Sequence, residues 1–237
     1  MIKKGLKFAG MLAGLLAMTA CAKTEKISDV QPSGFLDPAI YDKLEPGTGA
    51  LEAAQFYRAP GLDISGYDKI LLDPIVAFAP PGDEGDIDPQ DKQALLNNFY
   101  TLLAQQLEQD YTMVTGPEPG ALRLQMAMTK ATKKNVTMDT VSTLTPIGLA
   151  ARNLTEYATG EPTFTGRLRI ELELTDSMTE EVLVAAIDER AGGSQISEDQ
   201  LSSWSSVNAA MEFYSIGIRY RLCQLRGGSN CVKPQTF

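Results

Sequence analysis

The sequence predicts an α+β fold: a mainly antiparallel sheet covered on one face by amphipathic helices and preceded by an irregular N-terminal tether. Three observations predict it. Residues 166–175 alternate strictly, with Leu168, Ile170, Leu172 and Leu174 on one side and Arg167, Arg169, Glu171 and Glu173 on the other, as a strand with one buried and one wet face does. Asp176 to Glu180 supplies turn residues, and Val182 to Glu189 returns as the partner strand of a hairpin. Two long stretches, beginning near Asp88 and Glu198, carry apolar residues at three- and four-residue spacing and so read as helices that lie on such a sheet.

The first 20 residues are an address rather than structure. Lys3, Lys4 and Lys7 form a positive start, and Phe8 to Ala20 is uncharged but too short to remain as a transmembrane helix, which is the pattern of a cleaved export signal. It closes on Leu16-Ala17-Met18-Thr19-Ala20-Cys21, which resembles a bacterial lipobox, so Cys21 is expected to be acylated, with palmitate among its chains, and to become the mature N-terminus. Each buried methylene contributes about 0.8 kcal/mol, so several acyl chains on one cysteine anchor stably where one would not. Ala22, rather than Asp, follows the cysteine, and by the sorting rule of such lipoproteins this implies the outer membrane, facing the periplasm.

Loss of the leader removes three lysines, so the formal charge moves from −9 to −12. With no basic stripe, aromatic-basic alternation or polybasic run in so acidic a chain, binding to nucleic acid or to anionic lipid headgroups through bulk charge is disfavoured. The length suits one domain, residues 67–237, behind a lipidated tether and lead-in over residues 21–66. That lead-in is punctuated by turns at Gln31-Pro32-Ser33-Gly34, Glu45-Pro46-Gly47 and Ala59-Pro60-Gly61 and shows no sustained period, although Phe35, Leu36, Tyr41, Leu44, Phe56 and Tyr57 imply that its second half packs on the domain.

Lys69 to Val76 is an apolar run suited to a strand buried on both faces, and Pro74 within it points to an edge or a bulge. Asp88-Pro89-Gln90-Asp91 reads as an N-cap, a first-turn proline and a first-turn carboxylate; Leu95, Phe99, Leu102, Leu103 and Leu107 then define the buried face of a helix reaching Gln109. Tyr111 to Val114 is a short strand, and Leu122, Leu124, Met126 and Met128 alternate with polar neighbours in another. Thr145-Pro146 opens a short helix through Tyr157 that Gly160 stops. The last helix spans Glu198 to Leu225, its stripe running through Leu201, Trp204, Val207, Met211 and Tyr214 to Ile218, Leu222 and Leu225. In an oxidising compartment Cys223 and Cys231, flanking a Gly227-Gly228-Ser229 turn, are expected to pair as a disulfide, contributing about 2 to 3 kcal/mol in the chain-entropy model.

Ser33-Gly34-Phe35-Leu36, Leu44-Glu45-Pro46-Gly47, Tyr57-Arg58-Ala59-Pro60 and Tyr67-Asp68-Lys69-Ile70-Leu71-Leu72-Asp73-Pro74 stand in an order that resembles the bacterial lipoprotein family catalogued as domain of unknown function number 3313. The likeness continues through Leu122-Arg123-Leu124, Glu171 to Ser177 and Val184 to Arg190 as far as Trp204, and so spans nearly the whole mature chain. The resemblance implies an envelope location and brings no established activity and no catalytic positions.

The chain contains no histidine, which removes Ser-His-Asp and Cys-His nucleophile activation and the commonest metal ligand together. Two cysteines without histidine are too few soft ligands for zinc, the run Asp83 to Asp88 fails the EF-hand pattern at Asp91 and Asn97, Gly192-Gly193 reads as a turn rather than a phosphate loop, and no cofactor is expected. Asn153-Leu154-Thr155 is an incidental sequon, and Trp204 reads as core rather than as a ligand platform. The leading expectation is a non-enzymatic, lipid-anchored binding or accessory module for envelope transport or assembly, with an envelope protein as its partner. The alternative is a cell-wall glycan enzyme or binder using Asp73, Asp176, Asp188 or Glu189, the carboxylates at strand ends. A third reading is a self-assembling subunit that pairs through the wet face of Arg167, Arg169, Glu171 and Glu173; the sequence leaves the oligomeric state open.

Overall fold

The computed structural model describes residues 24–80, 87–133, 166–192 and 204–234. Among them nine strands form one sheet and two long helices pack together beside it. The sheet is built around β7 (Ala121–Thr132), β8 (Arg167–Asp176) and β9 (Val182–Gly192), three long antiparallel neighbours whose register is continuous but for a shift between Met128 and Lys130 and another after Leu174. Asp176 closes the hairpin between β8 and β9: its Oδ1 accepts the amides of Met178 and Thr179 at 2.8 Å each, and Tyr67 Oη donates to its Oδ2 at 2.8 Å. Glu180 completes the turn at φ 59°, in the left-handed region.

On the β7 side the sheet turns parallel. Strands β4 (Lys69–Leu72) and β5 (Val76–Ala77) both pair parallel to β7, and β4 also pairs parallel to β6 (Thr112–Val114). Pro74 stands just before β5, which among the described residues pairs with β7 alone, so the expected outer strand lies on the far side of the proline. The proline breaks one run into two strands that resume on the same neighbour, with Asp73 N donating to Leu124 O and Phe78 N to Met128 O across the break.

The lead-in differs from expectation. Residues 24–58 supply β1 (Thr24–Ile27), a helical turn α1 (Pro38–Tyr41), β2 (Glu45–Pro46) and β3 (Gln55–Arg58), with β1 opposite Glu189–Gly192 and β3 opposite Val184–Ile187 on the outer edge of β9. Strands from both sides of residue 66 thus share one sheet. Turn punctuation hid this, since each strand here is at most four residues long and too short to show a period.

Helix α2 (Pro89–Leu107) starts where Asp88 accepts the Gln90 amide at 2.8 Å, and Leu95, Phe99, Leu103 and Leu107 go fully or almost fully inside. Helix α3 (Ser205–Leu225) buries Val207, Met211, Tyr214 and Leu222 and lies on α2, β8 and β9. Of its expected stripe, Trp204, Ile218 and Leu225 pack half-buried on the core, while Leu201 falls outside the described residues, as do Cys21, Asp83 to Asp86, Asn153 and the Thr145 to Gly160 segment. Among the described residues no helix is long and apolar enough to cross a membrane. Gly192, expected in a turn, is the last residue of β9, and a Cβ there would collide with the Ser206 side chain, so the start of α3 presses directly on strand backbone. Cys223 and Cys231 are joined in a disulfide that returns the chain onto the end of α3.

The sheet has no wet face at its centre. Leu168, Ile170 and Leu174 face the helices, but Arg169 and Glu171 on the opposite side are 6% and 0% exposed. The lead-in covers them, packing Val30, Leu36 and Ile40 on Ala185 and Ile187. Burial of those charges removes the surface through which strand-to-strand self-assembly was expected to occur. Leu172, expected in the core, is only half-buried, whereas Met211 is wholly enclosed. Met211→Ala is therefore expected to cost about 2 to 5 kcal/mol through a core cavity and Leu172→Ala distinctly less, as urea denaturation midpoints would show.

Candidate functional site

Between α3 and the sheet lies a cleft of about 390 Å³. Ile170, Leu172, Leu174 and Val184 form its floor, Phe213, Tyr214, Ile218 and Leu222 the helical wall, and Leu51 to Ala53 with β3 the third side. Two small residues, Ala186 on β9 and Gly217 on α3, are among those that line it. These residues have no place among the sequence-based expectations. A glycine inside a helix costs about 1 kcal/mol relative to alanine, so Gly217 is a local sign in the sequence that α3 is packed unusually at this point.

The polar groups bordering the cleft are few and fixed. Asp188, 5% exposed, accepts from the Ala54 amide at 2.9 Å and from Arg190 Nε at 2.8 Å. Burial pushes its carboxyl up to about 6, against the opposing pull of the Arg190 guanidinium and the Ala54 N–H. Arg190, itself 2% exposed, also donates to the carbonyls of Ala50 and Glu52 and stacks on the Phe213 ring, 4.2 Å from its centroid. Glu52 folds its carboxylate back onto the amides of Thr48 and Gly49 at 2.8 and 2.7 Å, and these N–H groups hold its pKa below the ordinary value. Burial raises the Tyr214 hydroxyl well above its usual range, and its Oη donates to Leu168 O at 3.3 Å, so it stays a neutral donor. Arg58 and Arg221 stand at the rim, the former exposed.

The four carboxylates of the glycan reading are not brought together. Asp73 receives Arg123 through Nε and Nη2 at 3.0 and 2.7 Å on β4's side of the sheet. Asp176 holds the hairpin turn, and Glu189 points to the covered face, where Arg169 Nε meets it at 2.7 Å. Asp188 alone of the four lines the cleft. Trp204 sits half-buried at the start of α3, donating Nε1 to Asp91 at 3.2 Å under the Lys133 ammonium, 5.2 Å from the ring centroid. Among the described residues no three His, Cys, Asp or Glu side chains cluster in a way that would hold a metal ion.

The residues that carry the family resemblance include the stitches of the lead-in. Glu171 Oε1 accepts the Ser33 amide and its Oε2 accepts Tyr41 Oη, both at 2.6 Å, while Tyr41 Oη in turn accepts the amides of Gly34 and Leu36 at 2.9 and 3.1 Å. Gly34 makes the bend at φ 95°, open only to glycine without strain. Burial and the bond to Glu171 push the Tyr41 hydroxyl up to about 12. Residues 31–215 match the family described as Protein of unknown function (DUF3313). The chain belongs to that family. The matched span begins just before this Ser33 to Tyr41 clasp and ends in the middle of α3, so the clasp, the long strands and most of the cleft are family territory, while Arg221 and the disulfide lie beyond it.

The chain is also similar to the Escherichia coli (strain K12) protein named Uncharacterized lipoprotein YdcL, 28% identical over 182 residues, which cover 76% of this chain and 80% of that protein. The PelC dodecamer from Paraburkholderia phytofirmans is similar at a TM-score of 0.36 and 14% identity, over 74% of this chain and 96% of that one. Protein XCC0632 from Xanthomonas campestris, of the DUF330 family, is similar at a TM-score of 0.39 and 9% identity, over 72% and 91%.

Proposed function

We propose that this DUF3313 member is a lipoprotein of the bacterial envelope, acylated at Cys21, held at the outer membrane facing the periplasm, and that it acts as a non-enzymatic binding module whose cleft takes the apolar part of an envelope ligand. The lipid anchor is supported by the lipobox-like end of the leader and by the description of the YdcL relative as a lipoprotein. The binding reading rests on one observation: the cleft is walled by aliphatic and aromatic side chains, and each acidic group on it is already committed to a backbone amide or a guanidinium. Such a site favours burial of apolar surface over bond-making chemistry.

The test has two parts. Mass spectrometry of the mature chain is expected to find acyl chains on Cys21, and an unmodified thiol would remove the anchor. For the cleft, the chain from residue 22 is titrated with the apolar dye N-phenyl-1-naphthylamine. Saturable binding is expected, and Ala186→Phe, which fills the floor, is expected to weaken it at least about tenfold, about 1.4 kcal/mol, without lowering the thermal midpoint. Dye binding untouched by that substitution would refute the cleft as the binding site.

A further inference from the structure

We infer that the domain turns one particular end of its sheet to the bilayer, the end that carries Thr24, Arg167 and Gly192 together with the first turns of α2 and α3, and that Trp204 lies at the level of the lipid headgroups. This rests on the acylation of Cys21 proposed above. Thr24 follows Cys21 by three positions, a span of at most about 11 Å when fully extended. Thr24 is not free to swing, since β1 pairs with β9 from Thr24 opposite Gly192 to Ile27 opposite Glu189. The lipid anchor is therefore tied to a fixed point of the fold by a very short leash, and the end of the sheet at that point must face the membrane.

The register shows which groups share that end. Gly192 and Ala191 of β9 stand beside Arg167 of β8, and Arg167 beside Thr132 of β7. Lys133, the next residue, pairs with Asp91 in the first turn of α2 at 3.3 Å, and Trp204 Nε1 donates to the same carboxylate. Ser206 touches Gly192, which brings the start of α3 to the same end. A tryptophan whose indole N–H is satisfied beside a lysine–aspartate pair is amphipathic in the way that suits a boundary between water and lipid. At the opposite end stands the hairpin turn with Met178, 56% exposed, a full ten-residue strand away, or about 33 Å. Along β9 the cleft lies between Asp188 and Val184, about 13 to 26 Å above the lipid-facing end, so it opens into the aqueous space rather than into the bilayer.

Trp204 is the sole tryptophan, so the native chain carries its own depth probe. Full-length acylated protein is reconstituted into vesicles of phosphatidylethanolamine and phosphatidylglycerol that contain a lipid with a nitroxide on its headgroup, and flotation is recorded beside fluorescence. Trp204 is expected to lose most of its emission, whereas a double variant, Trp204→Phe with Met178→Trp, is expected to float equally and keep its emission. Floating protein whose Trp204 is unquenched, or a floating double variant quenched as strongly as the parent, overturns the orientation while leaving the anchor intact. Protein that does not float overturns the anchor and the orientation together.

Discussion

Glu171→Ala is expected to destabilise the protein by about 3 to 5 kcal/mol, because it removes a buried charged acceptor that serves two half-buried donors, each hydrogen bond to a charged group contributing about 1.5 to 3 kcal/mol. The carboxylate is wholly enclosed and holds the Ser33 amide and the Tyr41 hydroxyl at 2.6 Å each. Those two contacts fasten the lead-in over the second face of the sheet, so the loss should be local as well as global. Hydrogen exchange is expected to rise first in Ser33 to Tyr41, and the urea midpoint should fall in step. Glu171→Gln keeps an acceptor for one of the two donors and is expected to lose about half as much. Equal midpoints for parent and Glu171→Ala would show that the lead-in is held by its apolar contacts alone.

Arg190→Met is expected to cost a similar 3 to 5 kcal/mol or so near neutral pH, since it strands the buried Asp188 carboxylate without its cation. The size should depend on pH in a defined direction. Asp188 titrates near 3.8 when exposed and at about 6 in the fold. A carboxyl whose pKa is raised by folding contributes its stability fully below the unfolded value and loses it as pH rises through the folded one. Without Arg190 the charged form is still less tolerable inside, which moves that folded value further up. The penalty of Arg190→Met should thus be smaller at about pH 4.5, where Asp188 is protonated in the fold, than at about pH 7.5. Adding Asp188→Asn should abolish the difference. An equal penalty at the two pH values would mean that the ionisation of Asp188 in the fold does not depend on Arg190 across that range, which would overturn the pairing as the source of the effect.

Much of this architecture was legible locally. The Asp88-Pro89 cap, the face of Phe99 and Leu103, the turn at Asp176 and the stripe from Val207 to Leu222 are short-range consequences of hydrogen bonding and of helical or strand period, and the structure places them as read. The parallel pairing of β4 and β5 on β7 was not legible, because an apolar run shows burial but not the direction of its neighbour. Nor was the second buried face. Alternating Arg169, Glu171 and Glu173 looks like a strand face in water because isolated charges stay hydrated, and only partners far along the chain make another outcome tolerable. Those partners are Glu189 for Arg169 and the Ser33–Tyr41 segment for Glu171. The cleft was missed for the same reason. Glycine and alanine in a helix and a strand are unremarkable apart, and come to line one cleft only when α3 is laid on β9.

By itself, then, the order of residues determined the two long helices with their buried stripes and the β8–β9 hairpin, since each depends on neighbours within a few positions. Tertiary structure decided that residues 24–58 belong to the sheet, that charge is buried on its second face, and that a cleft opens beside Asp188. Those outcomes depend on groups as far apart as Ser33 and Glu171 coming within hydrogen-bond reach, and the energy of such a meeting exists only in the folded chain.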